Sequence, residues 1–190
     1  MPLPGKAWRH VIITTHGSWL PGDPRGWRSR HHRIHSSGDY KNPPPKEEHE
    51  GLREYHRNRS DDPITIDRDL REIVIRAFVE KLRDLRFSVV VVSASGRHVH
   101  ALVELPDDRR EIRRIIGKCK QRASHAVRNV LPRSIWAEGG EYKLVKDDSH
   151  YGNTFNYIRT KQEPDALVWS IIAGENWIDV PPRTKNPGLR

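Results

Sequence analysis

The stretch FSVVVVSASGRHVHALVEL, residues 87–105, predicts a β-hairpin. Residues 87–93 form a continuous run that is rich in the β-branched side chains that strands favour. Residues 94–96, Ala-Ser-Gly, have the composition of a turn. Within residues 97–105, the apolar Val99, Ala101 and Val103 alternate with the polar His98 and His100. Such alternation is typical of a strand whose two faces have different surroundings.

Helical periodicity appears on both sides of this hairpin. Before it, Thr65 or Asp67 can cap a helix in which apolar residues recur at helical spacing: Leu70, Ile73, Val74, Ala77, Phe78 and Leu85. After it, Asp108 and Glu111 form a capping-box pattern. The helix that follows is expected to bury a stripe formed by Ile112, Ile115, Ile116, Cys119, Ala123, Ala126 and Val127.

The remaining segments complete an α+β pattern. Residues 8–15 and 142–145 predict strands, and a third helix is expected to begin near residues 147–149 and to end at Glu163, before Pro164. The order is strand, helix, strand, strand, helix, strand, extra helix. It predicts a ferredoxin-like (split βαβ) antiparallel sheet with two helices on one face, plus an extra C-terminal helix that carries Tyr157.

The length of 190 residues suits one domain. We expect a single domain over residues 1–170, interrupted by a long loop insertion at about 22–63 that is rich in Pro, Gly and charged residues. A short helix near residues 47–57 is expected inside this insertion. Residues 171–190 are expected to form a C-terminal tail.

The composition favours an anionic partner. Lys and Arg number 34 against 25 Asp and Glu, which gives a formal net charge of +9. Nucleic acid is the commonest anionic partner of a basic protein of this size. The one cysteine, Cys119, excludes an intrachain disulfide and a zinc site built from cysteine pairs, and its amphipathic surroundings predict a core residue.

The N-terminal segment and the apolar runs predict no targeting or membrane segment. Residues 1–15 lack the long apolar stretch of a signal peptide. The longest apolar run, around residues 89–92, is the length of a strand and too short to cross a bilayer. We therefore expect a cytoplasmic protein without a membrane partner.

The alternation of residues 97–105 puts His98 and His100 on one face of their strand. Alternate positions on a strand lie roughly 7 Å apart, a separation that one metal ion can bridge. Two ligands do not complete a metal site, and two surface histidines would have the same pattern. The pair is therefore a candidate metal site with an ordinary alternative.

Tyr157 is a candidate nucleophile on the third helix. Tyr151, Phe155 and Ile158 follow the spacing of an inward stripe, whereas Tyr157 is turned about 100° from Ile158 on an ideal helix. A tyrosine among polar neighbours, facing a sheet that carries histidines, can attack a phosphodiester. An interfacial tyrosine with its hydroxyl in water remains the alternative.

A basic stripe lies on the helix that follows the hairpin. Arg114, Lys118 and Arg122 recur every four residues, a spacing at which like charges repel on an isolated helix. A phosphate backbone would relieve that repulsion. A solvated face is the alternative, and the sequence leaves both open.

Three stretches resemble the insertion-sequence-200-like transposases, HUH enzymes with a single catalytic tyrosine that include the REP-associated tyrosine transposases. THGSWLPGDPRGW, residues 15–27, resembles the segment after the first strand in one branch of the family. GRHVHALV, residues 96–103, resembles the HUH strand, and the segment from Ile135-Trp136-Ala137 to Tyr157-Ile158-Arg159 resembles the final strand and the tyrosine helix. The resemblance spans roughly residues 8–165, with a poor match from about 28 to 63.

The resemblance implies a site and a reaction. It implies a Mg²⁺ or Mn²⁺ ion held by His98 and His100, and Tyr157 as the nucleophile that cleaves single-stranded DNA beside a hairpin. Tyr157 would become joined to the 5′ phosphate, and rejoining to another strand would need no ATP. Relatives often carry a glutamine ligand four residues after the tyrosine, where this chain has Lys161. Gln162, one residue later and about 140° from Tyr157 on an ideal helix, is a candidate third ligand if the helix is distorted near Pro164. A ligand from elsewhere in the chain or a water molecule is the alternative.

Partners and alternative functions follow from the same resemblance. Arg97 and Lys161 join Arg114, Lys118 and Arg122 as candidate DNA contacts, and the chain could act alone or as a homodimer. A protein that binds hairpin DNA or RNA without cutting it is the alternative function. An RNA-binding module of similar fold is less favoured, because residues 97–105 offer no exposed aromatic side chain on which a base could stack.

Overall fold

The computed structural model describes residues 2–24, 27, 36–38, 42–59, 62–172 and 178. The secondary-structure elements follow one another as β1 (Lys6–Thr14), α1 (Glu50–Arg59), α2 (Arg68–Asp84), β2 (Val89–Ala94), β3 (His98–Pro106), α3 (Arg109–Ala126), β4 (Glu141–Leu144), α4 (Asp148–Thr160) and β5 (Leu167–Ser170). The expected hairpin is therefore present as β2 and β3.

The strands form one antiparallel sheet in the order β4-β1-β3-β2-β5. The first four strands have the order of a split βαβ fold, so the predicted α+β, ferredoxin-like class is confirmed. The central pair, β1 and β3, is in register along its whole length, from Lys6 opposite Pro106 to Thr14 opposite His98. This register determines which side chains meet on each face.

Helices cover both faces of the sheet. On one face, α2 and α3 pack against each other and bury the fully apolar side of the central strands, which includes Val11, Ile13, Val99 and Ala101. On the other face, α4 packs against β2 and β3. The face that carries His98 and His100 is the one that α4 covers, because both histidines alternate with Val99 and Ala101.

The helix termini agree in part with the predicted caps. The Asp108 carboxylate accepts a hydrogen bond of 2.7 Å from the Glu111 amide and caps α3. The Asp147 carboxylate accepts one of 2.7 Å from the His150 amide and caps α4. Asp67 is the N-cap of α2 but makes no capping hydrogen bond with its side chain. Of α2, α3 and α4, the last two therefore begin with a cap in which a side chain accepts a hydrogen bond from the backbone.

Four sequence expectations were wrong in detail. Ile73, expected in the apolar stripe of α2, is 40% exposed. Ala126, expected in the buried stripe of α3, is exposed, because it lies in the last turn of the helix. Helix α4 ends at Thr160 and not at Glu163, and Lys161 is its C-cap. The strand β5, which pairs with β2, was not expected. Cys119 is fully buried, as predicted, and burial raises the pKa of its thiol to about 12.

The chain forms two compact units, residues 1–14 with 65–190 and residues 15–64. The smaller unit holds α1, whose own residues are not buried, and a buried Trp27 whose ring lies 5.1 Å from that of His49. Most of the expected tail, residues 173–177 and 179–190, lies outside the described residues. None of the helices in the described ranges has the length and apolar character that crossing a bilayer requires.

Candidate active site

The pairing of β1 with β3 brings a third histidine to the pair expected from the sequence. His10 lies opposite Leu102, beside the position where Ile12 faces His100. The Nε2 atom of His10 lies 3.0 Å from the Nδ1 atom of His100, and the two ring centroids are 5.2 Å apart. The ring of His98 lies 6.3 Å from that of His100. Three imidazoles therefore share this face of the sheet.

Helix α4 is fixed over the same face by an apolar cluster. Ile158 belongs to this cluster and is fully buried, and the partly buried Trp8, Tyr151 and Phe155 pack against the cluster. The other members of the cluster come from β2, β3, β5 and the residue that follows β4: Val90, Val91, Leu102, Val168 and Val145. Burial of such side chains contributes about 1.5–3 kcal/mol each. This packing fixes where the remaining side chains of α4 point.

Tyr157 lies beside the imidazoles and remains accessible. Its ring centroid is 5.9 Å from that of His10 and 6.0 Å from that of His100, in edge-on geometry in both cases. The residue is 46% exposed. A phenol in this position can meet a substrate from solution without any opening of the core.

Burial keeps two of the imidazoles neutral. Desolvation, followed by the neighbouring His10, His98 and Lys143, lowers the pKa of His100 to about 3. Desolvation, followed by Lys143, lowers the pKa of His10 to about 4, although Glu141 acts in the opposite direction. Both rings are therefore uncharged at neutral pH. The neutral imidazole is the form that binds metal ions.

Gln162, the expected third ligand, contacts the backbone of the tyrosine helix. Because α4 ends at Thr160, the chain turns back and the Gln162 amide nitrogen donates to the Tyr157 carbonyl over 3.1 Å. That bond leaves the amide oxygen, the atom type that metal ions bind, as the acceptor of the side chain. The Glu163 carboxylate lies 3.9 Å from His98 Nδ1.

The described residues fit a metal ion only in part. In the ranges that the structure describes, no three His, Cys, Asp or Glu side chains are grouped so that they could hold one. His98 and His100 supply suitable nitrogen donors on one face, but a complete ligand set would need the Gln162 oxygen, water or an oxygen of the substrate.

A buried arginine ties the chain after α4 to the start of α2. The Arg71 guanidinium donates to the Asp165 carboxylate over 2.8 Å, to the Asp165 carbonyl over 2.9 Å and to the Ile66 carbonyl over 2.9 Å. Arg71 is only 5% exposed. Its guanidinium therefore links the segment that follows the tyrosine helix to the segment that precedes α2.

The basic residues expected to contact DNA fall into two groups. Arg97 precedes β3 and Lys161 caps α4, and both are exposed at the ends of elements that carry the site. The stripe of Arg114, Lys118 and Arg122 lies on α3, in the helix layer on the opposite side of the sheet. The structure therefore separates the stripe from Tyr157 and the histidines.

The stripe is also partly neutralised. Arg114 lies 3.6 Å from the Glu111 carboxylate, and Arg122 lies 3.8 Å from that of Glu80. Lys120, on the same helix, is used structurally, because its ammonium donates to the carbonyls of Ala137 and Gly139 over 2.6 and 2.9 Å.

Sequence reasoning missed His10 and Glu163. Alternation within β1 places His10 on the face opposite Val11 and Ile13, a signal that the sequence does contain. Only the pairing of β1 with β3 turns that face towards His100. Glu163 was assigned to the end of a longer helix, and it reaches His98 because α4 stops three residues earlier.

Comparisons with known proteins give one similar structure. No protein-family model matches the sequence, and no curated protein matches it. Among solved structures, a REP-associated tyrosine transposase bound to a REP hairpin is similar to this chain, with a TM-score of 0.45 and 13% sequence identity. The similarity covers 85% of this chain and 68% of that one. At this TM-score and identity the similarity does not establish membership of a family.

Proposed function

We propose that this protein cleaves and rejoins single-stranded DNA next to hairpins, with Tyr157 as the nucleophile. The position of Tyr157 supports this function: the residue is 46% exposed, and its ring centroid lies 5.9 and 6.0 Å from those of His10 and His100. A phenol that is open to a substrate and borders metal-binding nitrogens is suited to attack on a phosphodiester.

The proposed reaction is a transesterification. The Tyr157 phenol loses its proton to solvent, and its oxygen attacks the phosphorus atom. A bond between the tyrosine oxygen and phosphorus forms while the bond from phosphorus to the 3′ oxygen breaks. The 5′ phosphate stays on Tyr157, and the 3′ oxygen takes up a proton. Rejoining is the reverse step with the 3′ hydroxyl of another strand, so one phosphoester replaces another and no ATP is consumed.

The proposal includes a Mg²⁺ or Mn²⁺ ion held by His98 and His100, with the Gln162 amide oxygen as third ligand. The low pKa of His100, about 3 because of burial, keeps its ring in the neutral form that binds metals. When bound, such an ion supplies Lewis-acid polarisation of the phosphate. Arg97 and Lys161, exposed beside the site, would hold the backbone of the single strand.

The basic stripe of α3 has a different place in the proposal. Arg114, Lys118 and Arg122 lie in the helix layer away from Tyr157, so they would contact phosphates outside the cleavage site. Such contacts would raise the affinity and its dependence on salt without taking part in the chemistry.

A hairpin-binding protein without cleavage activity is the second candidate function. Within the described part of the chain, no group of three His, Cys, Asp or Glu residues could hold a metal ion. An incomplete metal site would leave the basic surfaces as the functional part of the protein.

Formation of a covalent adduct separates the two functions. Protein is mixed with a labelled single-stranded DNA that contains a hairpin, in Mn²⁺, and then analysed under denaturing conditions. We expect a denaturation-resistant adduct with wild type, none with Tyr157→Phe, and little with His98→Ala. DNA binding that survives in all three proteins, without an adduct in wild type, would support the binding function instead.

A further inference from the structure

His10 and His100 lie close enough to share one hydrogen bond between their rings. His10 Nε2 and His100 Nδ1 are 3.0 Å apart, which is hydrogen-bond distance between two ring nitrogens. A neutral imidazole carries a proton on one nitrogen and a lone pair on the other. One ring must therefore donate and the other accept.

The two arrangements have opposite consequences for His100. If His10 donates, His100 Nδ1 accepts, and the proton of His100 must lie on Nε2, which then has no lone pair for a metal ion. If His100 donates through Nδ1, its Nε2 keeps the lone pair. The direction of this one hydrogen bond decides whether the outer nitrogen of His100 is a ligand or a donor.

His10 acts through His100 and not as a ligand beside it. His10, His98 and His100 share one face, yet these described side chains do not form a group of three that could surround one ion. The Nε2 atom of His10 is also the atom engaged with His100. A ligating histidine usually donates its other N–H to a neighbouring acceptor, and such partners set ring orientation and tautomer.

We infer that His10 is a positioning residue that holds His100 in the Nδ1–H tautomer, so that His100 Nε2 is available to a divalent cation. The inference rests on the proposed function, because it assigns a partner to one of the proposed metal ligands. Its physical basis is the pairing of β1 with β3, which places the Nε2 atom of His10 3.0 Å from the Nδ1 atom of His100.

Nuclear magnetic resonance of the metal-free protein tests the tautomer directly. Two-bond proton–nitrogen correlations distinguish the protonated ring nitrogen of each histidine. We expect His100 of wild type to be protonated at Nδ1. Because this measurement needs no substitution, it does not depend on the folding of any variant. Protonation of His100 at Nε2 in wild type would overturn the inference.

Binding of Mn²⁺ tests the consequence. His10→Phe keeps a ring but removes the acceptor, and we expect it to lower the affinity for Mn²⁺ by about 10- to 100-fold, the usual effect of losing such a partner. His10→Gln keeps an oxygen acceptor and should retain most of the affinity. His125→Phe, on the exposed C-terminal end of α3, serves as the matched control. Equal affinity of His10→Phe and wild type would also overturn the inference.

These readouts are distinct from failure of the proposed function. A wild-type protein that forms no adduct with DNA, yet binds Mn²⁺ in a manner that depends on His10, would contradict cleavage alone. A wild-type protein that binds no Mn²⁺ would contradict the proposed metal site and with it the role assigned to His10. Adduct formation together with an Nε2-protonated His100 would contradict only the inference.

Discussion

Tyr157 and Ile158 are adjacent on α4 and have opposite surroundings. Ile158 is 0% exposed within the apolar cluster between α4 and the sheet, whereas Tyr157 is 46% exposed beside the imidazoles. Successive residues on a helix point about 100° apart, so a helix fixed through one of them determines the direction of the other. The position of the phenol therefore depends on the packing of its neighbour.

Tyr157→Phe should separate chemistry from stability. The substitution removes only a hydroxyl on a half-exposed ring, and such changes usually alter the free energy of unfolding by less than about 0.5 kcal/mol. We expect the melting temperature and the affinity for single-stranded DNA to stay close to wild type while the covalent adduct disappears. Thermal unfolding and a binding titration measure these quantities. A large fall in the melting temperature would show that the phenol is structural.

Ile158→Ala should lower stability and adduct formation together. Removing a fully buried isoleucine leaves a cavity and costs about 2–5 kcal/mol. Since Ile158 fixes α4 on the sheet, we also expect less adduct at temperatures where the variant is still folded. Ile73→Ala is the matched control, because Ile73 lies on helix α2 and is 40% exposed. Equal melting temperatures for the two variants would contradict the role of Ile158.

The ion pair between Arg71 and Asp165 should make stability depend on pH. The hydrogen bond from Arg71 to Asp165 holds the pKa of that carboxyl below its usual range. The unfolded chain then binds the proton more readily than the folded chain, so the contribution is present above the unfolded pKa and is lost as the pH falls.

Asp165→Asn measures this contribution. As the pH falls from about 5 through the ordinary carboxyl pKa of about 3.9 and below it, we expect the melting temperature of wild type to fall more than that of Asp165→Asn, because the folded carboxyl keeps its charge to a lower pH than the unfolded one. Glu54→Gln, at an exposed position of α1, controls for the loss of a carboxylate elsewhere. Parallel pH profiles for wild type and Asp165→Asn would contradict a stabilising role of the pair.

Charge reversal should distinguish the two basic groups. Lys161→Glu, next to Tyr157, should weaken DNA binding and reduce the adduct even at saturating DNA. Lys118→Glu, on α3, should weaken binding and lower the salt slope by about 1 per lost phosphate contact, with normal adduct at saturation. Titrations at several salt concentrations provide both values. An unchanged salt slope in Lys118→Glu would mean that the stripe is merely solvated.

Most of the fold could be predicted because local patterns agree with it. The β-branched run, the alternation of residues 97–105 and the capping residues Asp108 and Asp147 all correspond to observed elements. Strand β5 could not be recognised in the same way. It has four residues, all buried, and so offers no alternation between two faces.

The sequence predicted the site residues that depend on the geometry of a single strand or helix, but not those that depend on how these elements pair or end. His98, His100 and Tyr157 follow from alternation and helical angle, and the structure places Tyr157 beside His100. His10 depends on pairing between strands that are far apart in sequence, since His10 and His100 are separated by 90 positions. The contact of Gln162 depends on where α4 stops, and helix ends are defined poorly by sequence.

The sequence of strand β4 should affect how readily the protein aggregates. It is an edge strand of the sheet and is only four residues long. It carries an ion pair between Lys143 and Glu141, with 2.9 Å between the ammonium nitrogen and a carboxylate oxygen. A short edge strand with charged side chains disfavours hydrogen bonding to a strand of another molecule. Concentrated solutions should therefore resist growth of fibrils from this side of the sheet.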